Sequence, residues 1–144
     1  MQFVAIDVET ANPDMASICQ IGLARYEQGL LTEEWKSYID PEDYFDDINI
    51  FIHGIDESTV RGAPVLAQVS QQLYGFLGNS IAVCHTHFDR VAIQRALEKY
   101  HIRNPICVWL DYARVARRKF DEALKALPDS KRPVAVIATR RGLI

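Results

Sequence analysis

Residues 3–10 read Phe3-Val4-Ala5-Ile6-Asp7-Val8-Glu9-Thr10, an apolar strand that ends in two carboxylates one residue apart. Alternation puts Phe3, Ala5, Asp7 and Glu9 on one face and Val4, Ile6 and Val8 on the other. Two acids side by side at the end of a buried strand repel each other and are costly to desolvate. A divalent cation is the economical reason for them to be there, since hard oxygen ligands suit Mg²⁺ or Mn²⁺. A frayed strand end with two solvated acids is the alternative.

Two later segments follow the same logic. Ser80 to Val83 is a short apolar run, followed by Cys84-His85-Thr86-His87-Phe88-Asp89. Val91, Ala92, Ile93, Ala96, Leu97 and Tyr100 then recur at helical spacing, which places Asp89 near the start of a helix that follows a strand. An N-cap or first-turn acid is the ordinary role for an Asp there. The second segment, Ile52-His53-Gly54-Ile55-Asp56-Glu57, is polar and turn-like and leads to Pro64 and a further helix.

The pattern along the chain is α/β. It predicts strands near 3–8, 18–27 and 33–39, the first three as a meander with a tight turn at Glu27-Gln28-Gly29. A long acidic loop runs from Pro41 to Gly62. A helix follows from Pro64, with Pro at its first position and Gly78 after its end. Strand 80–84, helix 88–100, strand 106–110, helix 111–119 and a last helix from about 133 complete the reading. Three hairpin strands followed by β-α-β-α give a mixed five-stranded sheet flanked by helices.

In this order the motifs resemble the DEDD family of 3′–5′ exonucleases, in particular the proofreading epsilon subunit of bacterial DNA polymerase III. Ile6-Asp7-Val8-Glu9-Thr10 looks like the first motif, hydrophobic-Asp-x-Glu-Thr, and Ile18-Cys19-Gln20-Ile21-Gly22 looks like the second strand. Ile39-Asp40-Pro41 followed by Ile52-His53-Gly54-Ile55 is similar to the family's H-G-I stretch. His85-Thr86-His87-Phe88-Asp89 looks like the second motif, shortened by one residue and with its usual Asn replaced. The resemblance implies a ribonuclease-H-like fold over one exonuclease domain spanning 1–144.

The chain also departs from the family. The third motif is a His followed five residues later by an Asp, whereas the only His after Asp89 is His101. Pro133 to Ile144 resembles the helix and turn that precede that motif. The expectation is therefore a domain incomplete at its C-terminus and lacking its last helix.

The resemblance implies phosphodiester hydrolysis with two divalent ions, Mg²⁺ or Mn²⁺, held by Asp7, Glu9 and Asp89 as catalytic and metal residues. Asp7 would bridge both ions, Glu9 would hold the one that activates water, and Asp89 the one beside the leaving oxygen. Thr10, the His53-Gly54-Ile55 turn, His85 and Phe88 would face the substrate. Core packing is an equal reading for Ile55. A His beside a strand end, such as His85 or His87, is ordinarily a hydrogen-bonded structural residue, and Glu33, Glu34 and the acids from Asp40 to Asp47 read as a solvated loop.

Composition bounds these readings. A chain of 144 residues that is 49% hydrophobic supports one core. No apolar stretch reaches the length of a membrane span, no signal peptide precedes the first strand, and Cys19, Cys84 and Cys107 lack zinc spacing; the expectation is a free-thiol protein of the cytoplasm. The net charge of −3 hides an asymmetry: residues 1–62 hold thirteen acids and three bases, residues 111–144 nine bases and four acids. An acidic metal-binding part and a basic end carrying Arg114, Arg117, Arg118 and Lys119 suit a nucleic acid, although ordinary solvated helix faces are the leading reading of the bases. The expected partners are single-stranded 3′ ends of DNA or RNA, and a DNA polymerase or repair protein. The alternative is a catalytically impaired exonuclease-like domain kept for nucleic-acid binding or for docking to such an assembly.

Overall fold

β1 (Gln2–Thr10) is the centre of the sheet. The computed structural model describes residues 1–125. They fall into a unit spanning Met1–Tyr112 and a second that begins at Ala113. β2 (Ile18–Glu27) and β3 (Leu30–Tyr38) extend the sheet on one side as an antiparallel meander. β4 (Ile81–Cys84) and β5 (Val108–Asp111) extend it on the other side, each parallel to its inner neighbour. The order is β3-β2-β1-β4-β5, the mixed five-stranded sheet that the sequence predicts. Between strands lie α1 (Asp47–His53), a 3₁₀ turn at Leu66–Val69, α2 (Ser70–Leu77) and α3 (His87–Lys99). α4 (Tyr112–Lys125) follows β5.

The alternation read from residues 3–10 decides which side is core. Val4, Ile6 and Val8 are buried and join Ile21 and Leu23 of β2, Leu73 and Leu77 of α2, and Ile93 and Leu97 of α3 in one cluster. A smaller cluster of Ala11, Cys19, Ile55 and Val60 packs beneath the far end of β1. On the other side of β1, Phe3 stacks on Tyr26 with ring centroids 5.1 Å apart, while Asp7 stands opposite Gly22. Having no side chain, Gly22 leaves the space over Asp7 open. A groove of about 390 Å³ lies there, lined by Ala5, Asp7, Ala24, Glu34 and Lys36.

Several boundaries differ from the sequence reading. β1 runs through Thr10, so Asp7 and Glu9 lie within the strand rather than at a frayed end. β3 starts at Leu30, not 33, because Gln28 and Gly29 both take positive φ and close a two-residue hairpin turn. Glu33 and Glu34 lie in the strand, as the predicted strand 33–39 has them, and not in a solvated loop, and Glu33 pairs with Arg25 at 3.0 Å. The acidic loop contains α1, capped at its start by Asp46, which accepts the Ile48 N–H, and closed by Gly54 at φ +74°. The helix expected from Pro64 is a 3₁₀ turn first, with Gln68 Oε1 accepting the Val65 N–H, and becomes α-helical only at Ser70. The helix expected from about 133 lies outside the described residues. Among the described residues no helix is long and apolar enough to cross a membrane.

Candidate active site

Asp89 enters the site from α3. Thr86 caps that helix, its Oγ1 accepting the Phe88 N–H at 3.2 Å, and Asp89 follows in the first turn. β4 pairs with β1 only at Val4 and Ala5, so the Val8 N–H is left without a strand partner on that side. Asp89 Oδ1 accepts it at 3.0 Å. The third acid is thereby fixed to the backbone of the residue between the first two.

The environment penalises charge there. Asp89 is 4% exposed, and burial raises its pKa to about 6; the Val8 hydrogen bond opposes the rise and Asp7 adds to it. Burial and then the neighbouring Asp7 raise Glu9 as well. Among the described residues no Lys or Arg forms an ion pair with Asp7, Glu9 or Asp89. Carboxylates that raise one another, as Asp7 raises both Glu9 and Asp89, are the donor chemistry that a hard divalent ion satisfies. Among the described residues no three His, Cys, Asp or Glu side chains close into a cage for a metal. Mg²⁺ does not need one, because it is commonly held by one or two carboxylates with water and substrate phosphate completing the shell.

Thr10 ends the carboxylate strand beside a register shift between Glu9 and Thr10, a bulge of the kind that re-aims side chains next to functional sites. Its side chain is buried, and its carbonyl accepts Asn49 Nδ2 at 2.9 Å. His53 Nε2 lies 2.9 Å from the same carbonyl, and His53 Nδ1 accepts the Ile55 N–H at 3.0 Å. Where Nδ1 accepts, Nε2 carries a proton, so His53 donates to the Thr10 carbonyl and has both nitrogens engaged. It is built to position Thr10, not to take a proton.

The remaining residues singled out in the sequence divide between the surface and the core. Gly54 is the left-handed end of α1, and Ile55 is 4% exposed within the smaller cluster, which agrees with its core reading. Phe88 is half-buried against the main core. His85 and His87 are exposed, and His85 is near enough to Asp89 to favour its ionised form. Cys84 and Cys19 are buried free thiols; burial raises both pKa values, that of Cys19 to about 12. Two asparagines escape the sequence reading. Asn49 is the second tie to Thr10, and the buried Asn12 donates from Nδ2 to the Tyr44 carbonyl at 2.9 Å, fastening the loop after β1 to the segment before α1. An Asn two residues after the strand and ahead of Pro13 was the available signal.

Residues 4–134 match the family model of the RNase_T exonucleases. The 3′-5′ exonuclease DinG of Bacillus subtilis is 29% identical over 123 residues, and the DNA polymerase III PolC-type of Halalkalibacterium halodurans is 24% identical over 119. Those matches cover 83% and 78% of this chain but only 13% and 8% of the relatives' own lengths. Exonuclease X, solved in complex with 5′ overhanging duplex DNA, superposes with a TM-score of 0.65 at 21% identity, covering 81% of this chain and 63% of that one, and shares the fold. The fold is thus the ribonuclease-H-like one, and the chain belongs to the RNase_T exonuclease family, within the DEDD group.

Proposed function

We propose that the chain hydrolyses phosphodiester bonds at the 3′ ends of single-stranded DNA or RNA, with Asp7, Glu9 and Asp89 as its metal-binding carboxylates. The observation that carries this reading is the Asp89–Val8 hydrogen bond, which draws a buried, uncompensated acid onto the strand that holds the other two. Asp7, exposed over the groove beside Gly22, and Asp89 would share the ion beside the leaving oxygen, while Glu9 with Asp7 would hold the ion that binds water. Mg²⁺ or Mn²⁺ there supplies charge neutralisation and a more acidic bound water. The protein's part is to hold the three carboxylates in place, with Thr10 fixed beside them by Asn49 and His53. The test is a single-stranded oligonucleotide carrying a label at its 5′ end. Mononucleotides released in Mn²⁺ and a ladder shortening from the 3′ end support the reading; internal cuts or an intact strand oppose it.

A second reading has its own observation. Among the described residues, His101 follows the C-terminus of α3, the opposite end from Asp89. His53 has both nitrogens engaged. A chain that binds nucleic acid but turns it over slowly, as a binding or docking module for a polymerase or repair assembly, fits that arrangement. Single-strand binding in Ca²⁺ without mononucleotide release in Mn²⁺ would select it.

A further inference from the structure

His85 turns away from the core at the end of β4. Cys84 before it is buried, whereas His85 is exposed. Val83, two residues earlier, pairs in parallel with Ala5, and Asp7 follows Ala5 by two residues. Strand alternation therefore sets His85 on the face and at the level of Asp7. The chain is fixed on the other side of His85 as well. Thr86 caps α3 with its Oγ1 on the Phe88 N–H at 3.2 Å, and Asp89 lies in the first turn of that helix. His85 is near enough to Asp89 to favour the ionised carboxylate. The ring itself holds nothing in place: among the described residues no hydrogen bond engages it, contrary to the structural role expected of a His at a strand end. His53 has both nitrogens engaged, and His101 lies beyond the far end of α3.

An unengaged imidazole on the open side of a carboxylate site is suited to proton transfer. We propose that His85 is a catalytic residue of this site, giving a proton to the 3′ oxygen that leaves when the terminal nucleotide is cut off. This rests on the exonuclease reading, which puts Asp89 on the leaving-oxygen side. Water adds to phosphorus and releases a proton to solvent. The P–O3′ bond breaks with its electron pair on the 3′ oxygen, which takes the imidazolium proton as it departs. Solvent then reprotonates the ring. One water is consumed, and nothing is oxidised or reduced. An alkoxide is a poor leaving group because of its charge, and a positioned acid removes that charge.

The test sets two leaving groups against each other, with the whole chain in Mn²⁺ under single-turnover conditions. A nucleoside alkoxide needs a proton to depart, whereas p-nitrophenolate does not. His85→Gln should slow the shortening of a 5′-labelled single strand about 10²–10⁴-fold, the usual contribution of a positioned acid. The same variant should hydrolyse thymidine 5′-p-nitrophenyl phosphate at close to the unaltered rate. His101→Gln should leave both rates unchanged. NMR gives a readout without turnover: the His85 ring signals, identified by their loss in His85→Gln, should shift when a single strand is added in Ca²⁺. Equal loss on both substrates in His85→Gln would make the residue structural and overturn the proposal. An unaltered strand rate in that variant, or ring signals that stay still, would overturn it too, as would an unaltered chain that cuts the ester but not the strand. An unaltered chain that hydrolyses neither substrate would refute the exonuclease reading itself, and the proposal with it.

Discussion

The Asp89 carboxylate and the Val8 amide, 81 residues apart in the chain, meet at 3.0 Å. The bond answers two problems at once. It satisfies an N–H that β4 leaves unpaired when it turns away from β1, and it orients a buried acid beside Asp7 and Glu9.

The orientation comes at a cost in stability that depends on pH. Asp89 titrates at about 6 when folded, against an ordinary value of 3.8, so the folded chain holds that proton more tightly than the unfolded one. The stability linked to it is fully present below about 3.8 and is lost as pH rises to about 6, in total at most ~3 kcal/mol. Asp89→Asn keeps an acceptor for the Val8 amide and removes the charge. Without metal at neutral pH, the variant should melt higher than the unaltered chain and lose the pH dependence between those values. A lower melting temperature for Asp89→Asn in EDTA would contradict this account.

The same logic predicts cation binding. Mn²⁺ should bind measurably by calorimetry, and Asp7→Ala should abolish the binding heat, since Asp7 couples electrostatically to both other acids. Binding that persists unchanged in Asp7→Ala would place the ion elsewhere.

Thr10 offers a test of positioning. His53→Ala removes the bonds to the Thr10 carbonyl and to the Ile55 N–H, and should lower stability by about 1–3 kcal/mol in chemical denaturation. Because His53 orients rather than transfers a proton, the pH profile of the residual activity should keep its shape while its height falls. A profile that loses a limb in His53→Ala would instead make the ring a proton carrier.

How much of this was legible in the sequence follows from which interactions are local. The alternation of residues 3–10 and the spacing in α3 directly encode burial, and they locate the sheet centre, the core face and all three acids. Hydrogen bonds between distant segments are not encoded that way: nothing local says that Asn49 will find Thr10 or that Asn12 will find Tyr44. α1 was missed because it buries nothing and so has no apolar periodicity directed at a core, although Asp46 and Gly54 were both readable as its ends. The start of β3 was read late because Leu30, Leu31 and Thr32 are exposed, and exposure hides the pairing that extends the strand to its turn.

The most direct test of the central claim compares the unaltered chain with Glu9→Ala, Asp7→Ala and Asp89→Asn on a 5′-labelled single strand. The account predicts Mn²⁺-dependent shortening from the 3′ end that EDTA stops. Each substitution should reduce the rate by more than the about 10–100-fold typical of residues that only support a metal ligand. Hydrolysis that survives EDTA, or proceeds at the unaltered rate in Glu9→Ala, would contradict it.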